Sequence, residues 1–356
     1  MAKRARRQHI IPRSYMKRFA VGEQVYVHNF KTGKSYVNNL SDAGCIDDFY
    51  TVKTTDNSLD DCIETNLLGK IEGLVDPVIG QLVNEKRLPS NPEKGLLCNY
   101  LALMYTRGLW FRQILHEVYE HVALEWFERF TSDEEFYSKT MNEIRDLSDG
   151  IEDIPFEEAR SIRDKLNITV DVPRTFSVKE MMLHAGALVG VFSAMNFNVL
   201  YIPVYSYAKF ITSDRPFVMM GNCKTRKKWI ESPEAEVYFP LSSTICLMMN
   251  FKDQPKIKRC ERHEVAFFNF HVANESNFLA ISEEEDFIWR YDAKIIRHSS
   301  RKLVELLSKR AHKHLASENT GVEMKSGTEW DVNLSLIHIS EPTRPLYISY
   351  AVFCLK

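Results

Sequence analysis

The chain has 356 residues, with 46 Lys and Arg against 48 Asp and Glu and a formal net charge of −2. Near neutrality excludes a protein that coats nucleic acid over its whole surface. The most apolar window, 185–200, is interrupted by Asn196 and Asn198 and is too short for a bilayer span, so no membrane partner is expected.

In chain order, the start is basic. Lys3, Arg4, Arg6, Arg7, Arg13, Lys17 and Arg18 precede the first acidic residue, Glu23. Such an arm is an expected contact for nucleic-acid phosphates, and equally a solvated, frayed terminus. No apolar stretch follows it, so no secretory leader is expected. Gln24–Asn29 and Lys34–Asn38 flank Phe30-Lys-Thr-Gly33, which predicts a hairpin with glycine at the turn. Leu59, Ile63, Leu67, Ile71, Leu74, Val75 and Ile79 recur at three and four, predicting an amphipathic helix capped near Ser58. Ser90-Asn-Pro92 followed by Glu93 opens a second helix, expected to run with a break to Phe130.

Residues 131–153 are acidic and are expected to form a lid-like helix or loop, followed by a short helix at about 156–166. Ser177–Asn196 predicts a helix apolar nearly all round and therefore central to the core. From Val199 the composition switches to short β-rich runs, at 199–205, 209–212, 217–220, 237–241 and 245–249. Helices are expected again near His263–Ile281 and Arg297–Leu315. The expected class is α+β: a mainly helical core over about 55–197, a smaller β-rich part over about 199–250, and C-terminal helices. One domain over 1–333 is the preferred organisation, with a helical half packed on a β-rich half as the alternative.

The last 23 residues stand apart. Leu334–Arg344 reads as translated transposase-end DNA of a sequencing library, and Ile348–Leu355 reads as the adapter that follows it. Pro345, Leu346 and Tyr347 fill the place of an index between them. Residues 334–356 are therefore expected to be an assembly artefact on a gene from fragmented environmental, metagenomic DNA, outside the fold. Without them Arg344 and Lys356 leave together with Glu341, and the charge becomes −3. Six cysteines remain, at 45, 62, 98, 223, 246 and 260, with no Cys-x-x-Cys spacing. That pattern predicts free thiols in a reducing compartment, and a cytoplasmic location.

Two separated stretches carry the most information. One is His9-Ile-Ile-Pro-Arg-Ser-Tyr-Met-Lys-Arg-Phe19; the other is Ile211-Thr-Ser-Asp-Arg-Pro-Phe217, followed by Tyr238-Phe-Pro-Leu-Ser-Ser243. Together they resemble the uncharacterised, mainly bacterial family called domain of unknown function 4238. Its members open on a His-x-x-Pro-(x)-x-Tyr/Phe-Leu-x-x-Phe pattern and later carry a Thr-Ser-Asp-x-Pro turn and a Phe-Pro-Leu-Ser strand. The resemblance implies relatives and brings no chemistry with it.

The site must therefore be sought in the residues themselves. His9 and Asp214 are the candidate catalytic pair, expected to approach each other across the chain because both stand in family motifs. Asp214 in Thr212-Ser-Asp-Arg-Pro216 lies at a strand end, where functional groups are displayed, but Thr-Ser-Asp before Pro is equally turn chemistry. Arg13, Tyr15 and Arg107 are candidate ligand-binding groups, since each can donate hydrogen bonds to an anion. Arg107 interrupts an apolar helix and calls for a carboxylate, with Glu64, Glu72 or Asp214 available. Glu64 and Glu72 lie two turns apart near one helix face, as carboxylates for a divalent metal would.

P-loop, dinucleotide-binding, zincin and nucleophile-elbow motifs are absent from the sequence. Three readings remain. One is a binding module for nucleic acid or a phosphate ligand, linked to defence or mobile elements. Another is a metal-dependent, nuclease-like effector enzyme. The third is a non-catalytic structural or partner-binding protein.

Overall fold

A computed structural model describes residues 6–53, 59–61, 63–147, 154–163, 172–203, 205–220, 230, 232–252, 257–292 and 295–318. Ser58, Cys62, Cys223 and the expected artefactual tail 334–356 lie outside the described residues.

Strand β1 (Arg7–His9) leads to Pro12, which opens the single turn α1 (Arg13–Met16); a 3-10 turn over Lys17–Phe19 continues it. The expected hairpin follows as β2 (Gln24–Asn29) and β3 (Lys34–Asn39). Gly33 takes φ +68° in its turn, where a side chain would be strained. Strand β4 (Cys45–Asp47) returns to pair antiparallel with β1.

The region around Ser58 differs from expectation. β5 (Val52–Lys53) and β6 (Leu59–Asp60) pair there, helical structure begins as a π turn over Ile63–Leu68, and α2 (Gly69–Glu85) continues it. Leu59 is a strand residue and Leu74 is 63% exposed, so the three-and-four spacing was longer than the helix and its buried face.

The capping box opens α3 (Asn91–Thr106): the Glu93 carboxylate accepts both the amide and the hydroxyl of Ser90. The break falls at Arg107–Gly108, and α4 (Leu109–Ser132) resumes. The acidic segment forms α5 (Glu134–Leu147), followed by α6 (Phe156–Arg163) and the long α7 (Arg174–Ala194). Five strands come next: β7 (Asn196–Tyr201), β8 (Thr212–Ser213), β9 (Val218–Met220), β10 (Glu236–Pro240) and β11 (Ile245–Asn250). The chain ends with β12 (Ile257–Arg259), α8 (Arg262–Asn274), β13 (Leu279–Ser282) and α9 (Ser300–Glu318).

The class is α+β, but the β part is wider than 199–250. One sheet runs β12-β7-β11-β10-β9, antiparallel except where β12 joins β7. The other runs β3-β2-β13-β8 and so unites the N-terminal hairpin with residues 212–213 and 279–282. The helix expected to reach Ile281 stops at Asn274: the Glu275 and Ser276 amides still bond the last turn, but those of Asn277 and Phe278 are taken by the Asp214 carboxylate. β12 was hidden because Ile-Lys-Arg at a solvated edge carries no apolar alternation.

The chain divides into two compact units. Among the described residues, one comprises those up to Phe111 and from Val178 to Glu318; the other is Arg112–Ser177. The smaller has its own cluster of Phe130, Tyr137, Met141, Ile144 and Ala159, with Trp126 stacked on Phe130. Residues 112–177 carry 8 Lys and Arg against 16 Asp and Glu, a net −8. With 1–333 at −3, the rest of that span stands at +5.

Within the larger unit His28 is fully buried on β2. Its Nε2 lies 2.7 Å from Ser282 Oγ on β13 and its Nδ1 2.9 Å from Ser35 Oγ on β3, with the ring edge-on to Phe287. Ser282 Oγ donates onward to Glu284 O, so it accepts from His28, which places the ring proton on Nε2.

The motif segments meet at Tyr15, which has no exposed surface. Its hydroxyl donates to Pro240 O at 2.6 Å and lies 2.8 Å from Thr212 Oγ1, while its ring contacts Phe19 and Phe239. Ser243 N donates to Arg18 O at 3.1 Å, a second tie between the same segments. Tyr15→Phe is expected to lower unfolding free energy by about 1–3 kcal/mol in urea titrations, since buried Pro240 O loses its donor. An unchanged urea midpoint would show that this junction contributes nothing.

Candidate functional site

Arg107 caps α3 just before Gly108, the point where the helix breaks. A Cβ at Gly108 would stand 2.9 Å from Trp110 Cδ1 and 3.3 Å from Asp214 O, so glycine allows the two segments to pass closely. Arg107 is 2% exposed and surrounded by acceptors. Nη1 donates to Glu72 Oε1 at 2.6 Å, Nη2 to His9 O at 2.8 Å, and Nε to the Tyr50 hydroxyl at 3.2 Å. Glu64 Oε2 lies 3.7 Å from Nη2, and the guanidinium sits over the Tyr50 ring. Burial opposes the charge, but Tyr50, Glu72 and Glu64 outweigh it and hold Arg107 above its ordinary pKa.

Tyr50 completes the cluster by donating its hydroxyl to Arg107 O at 2.9 Å. Its own amide is held by the buried side chain of Gln8, which also donates to Thr51 Oγ1 at 2.9 Å. Neither Gln8 nor Tyr50 stands out as a candidate in the sequence. Tyr50 stands in Asp47-Asp-Phe-Tyr-Thr51 with no periodicity to show which way it points.

Glu64 and Glu72 do converge, as carboxylates for a cation would, but the cation between them is Arg107. Burial raises the Glu64 carboxyl, and its Oε2 accepts no hydrogen bond. Among the described residues no three His, Cys, Asp or Glu side chains group as metal ligands.

His9 Nε2 lies 3.2 Å from Leu40 O, and burial lowers its pKa, favouring the neutral ring. Asp214 faces elsewhere: Oδ1 accepts Asn277 N at 2.9 Å and Oδ2 accepts Phe278 N at 3.0 Å. The expected catalytic pair is therefore not one hydrogen-bonded unit. The two segments are joined through Arg107 and Gly108, by Arg107 Nη2 on His9 O and by Gly108 against Asp214 O. Arg13 is exposed and donates to Glu23 at 2.7 Å, and the Tyr15 hydroxyl is sealed in the core.

Asp214 is the loop clamp of the turn reading. Burial pushes its carboxyl up to about 7 against the backbone amides that favour the anion. Asp214→Asn is expected to cost about 1–3 kcal/mol at pH 5, because an amide nitrogen cannot accept from Asn277 or Phe278. The loss shrinks toward pH 7, where the wild-type carboxyl must ionise in a buried place. Denaturant melts at the two pH values check it; equal stability at pH 5 would remove the clamp.

The family described as "Protein of unknown function (DUF4238)" matches residues 7–289. The chain belongs to this family. The DUF4238 match takes in both motif stretches, the Arg107 cluster and all strands of both larger sheets. No curated protein and no solved structure shows significant similarity to the chain. No described helix is long and apolar enough to cross a membrane. Cys45, Cys98, Cys246 and Cys260 are free thiols, the last three buried.

Proposed function

We propose that this chain is a binding module for nucleic acid or a phosphate-bearing ligand, and that it is not a metal-dependent nuclease. One observation carries the proposal: the polar groups of the family motifs, and Arg107 between them, are spent on the chain's own backbone. Asp214 holds two amides, Arg107 holds His9 O, and Tyr15 holds Pro240 O. Groups so committed build a scaffold, whereas a general base needs a free lone pair within reach of substrate.

Charge supports the ligand class. Positive charge gathers in residues 1–111 and 178–333, at a net +5. In the arm, Arg6 pairs with Asp47, Arg7 with Asp42, Arg13 and Lys17 with Glu23, and Arg18 with Asp76. Arg18 is largely covered, but the Arg6, Arg7, Arg13 and Lys17 pairs are exposed; such pairs are worth little, so a phosphate can displace their carboxylates at small cost.

The test is fluorescence anisotropy on duplex DNA and on single-stranded RNA at two salt concentrations, beside a cleavage assay with Mg²⁺ and Mn²⁺. Affinity is expected to fall about tenfold or more between about 50 and 200 mM salt, as phosphate contacts require, with both polymers left intact. Cleavage that is lost in folded His9→Ala and Asp214→Asn variants would establish the enzyme reading instead. Binding to neither polymer at low salt would overturn the module.

A further inference from the structure

Strand β3 is the outer strand of the four-stranded sheet β3-β2-β13-β8. Lys34, Ser35, Tyr36 and Val37 are all exposed, Tyr36 at 44% and Val37 at 47%. Helix α9 comes close at Gly33, where an added Cβ would stand 3.3 Å from Ser308 Oγ, and leaves the strand beyond it open. Natural sheet edges are commonly blunted by proline, a bulge or a central charge. β3 has none of these. It pairs with β2 without a break from Lys34 to Asn39, and its one charge, Lys34, stands at its end.

The pairing gives the direction of each backbone group. In an antiparallel ladder, residues alternate between bonding the neighbouring strand and facing away from it. Leu40 N donates to Glu23 O at 2.9 Å, continuing the β2–β3 register, so the even-numbered residues of β3 bond β2. Ser35, Val37 and Asn39 therefore face outward. Asn39 is already engaged within its own chain: its amide donates to Asn38 Oδ1 at 2.8 Å, and its carbonyl accepts Asp42 N and Ala43 N, both at 2.9 Å. Among the described residues no strand meets the outward amides and carbonyls of Ser35 and Val37.

We infer that this edge pairs with the same edge of a second copy of the chain, antiparallel about a two-fold axis at Tyr36. In that register Ser35 lies opposite Val37 of the second copy, and Val37 opposite its Ser35. Both outward amides and both outward carbonyls of each copy are then bonded. Neighbouring registers bond fewer groups. Centring on Val37 sets Ser35 against Asn39, whose groups are taken; centring on Ser35 sets Val37 against Gly33, which has left the strand at φ +68°.

The side chains favour the same register. Tyr36 meets Tyr36 in a non-hydrogen-bonded pair, where side chains approach most closely. Lys34 meets Asn38, so no like charges are opposed. A two-fold contact of this kind is closed and uses one edge of each copy, which excludes further growth through it. One strand from each copy makes a small interface, so the dimer is expected to be reversible and concentration-dependent.

Sedimentation velocity of the full chain over a concentration series reads the assembly. The mean mass is expected to climb from monomer to dimer and to stop there. Tyr36→Lys sets two ammonium groups face to face on the axis and is expected to weaken dimerisation about tenfold or more. The melting temperature of its monomer should match the wild type, since Tyr36 is an exposed edge residue. Tyr36→Cys is a second variant, read by a gain instead of a loss. Cα atoms of a non-hydrogen-bonded pair stand about 4.5 Å apart, within the span of a disulfide. Mild oxidation should link Tyr36→Cys into a covalent dimer, while Val37→Cys, which lies opposite Ser35, and the wild type should link little.

A chain that stays monomeric at every concentration would overturn the second copy as occupant and leave the edge to a strand of another protein. Dimers that persist in Tyr36→Lys, with Tyr36→Cys failing to link, would place the contact on another face and overturn this one. Assemblies that grow past the dimer and vanish in Tyr36→Lys would overturn the closed two-fold.

Discussion

The stability advantage of the wild type over His28→Gln is expected to shrink by about 3 kcal/mol as pH falls from 6.5 to 4. Burial holds the folded His28 ring down at about 4, against an ordinary value of 6.5. Between those values the unfolded chain binds a proton that the folded chain refuses, so the wild type loses about 1.4 kcal/mol per pH unit. Above 6.5 both states are neutral and the full contribution of His28 is present. Glutamine does not titrate, and the difference between the two proteins isolates the imidazole. Asp214 acts in the opposite direction: its folded carboxyl is raised to about 7, so its contribution is complete below 3.8 and is lost as pH rises toward 7. Urea unfolding of both proteins at unit steps from pH 7 to 4 reads the slope. A difference independent of pH would mean that His28 titrates normally when folded.

Arg107→Met is expected to be the most damaging single change, at about 3–5 kcal/mol. The guanidinium is buried and neutralises two carboxylates, Glu72 at 2.6 Å and Glu64 at 3.7 Å. Removing it leaves like charges near each other with no counter-ion, and also takes away the donors to His9 O and to the Tyr50 hydroxyl oxygen. Arg107→Lys should recover only a fraction, because one ammonium cannot reproduce a planar fork that reaches Glu72, His9 and Tyr50 at once. The triple change Arg107→Met, Glu64→Gln, Glu72→Gln should regain much of the loss, since no charge is then stranded. Thermal and urea unfolding decide it. If the triple variant were no better than Arg107→Met, the damage would come from lost packing and not from unpaired charge.

The sequence was most legible where structure is local. The β2–β3 hairpin follows from Gly33 between alternating segments, and the start of α3 from Ser90, Pro92 and Glu93, because each signal acts within a few residues. It misled where distant partners decide. Residues 275–282 look helical until Asp214, more than sixty positions away, takes the amides of Asn277 and Phe278. The apolar spacing that begins at Leu59 is real, but β5 claims that residue first.

The candidate site was legible in its membership and not in its roles. Arg107, Glu64 and Glu72 come together as expected, with a guanidinium where a metal was envisaged. His9 and Asp214 are each fixed by different neighbours, because motif spacing along a chain does not give the direction of a side chain.

The four-stranded sheet sets a schedule for the chain's synthesis. His28 on β2 bonds Ser282 on β13, 254 positions later. At about 5–20 residues per second, the ribosome needs on the order of ten to fifty seconds to deliver that partner. For this interval the β2–β3 hairpin presents Val25 and Val27, both buried in the finished sheet, along an open edge. Slowing translation late in the message is therefore expected to lengthen the exposure of that nascent edge and to raise aggregation, although the finished protein is unchanged.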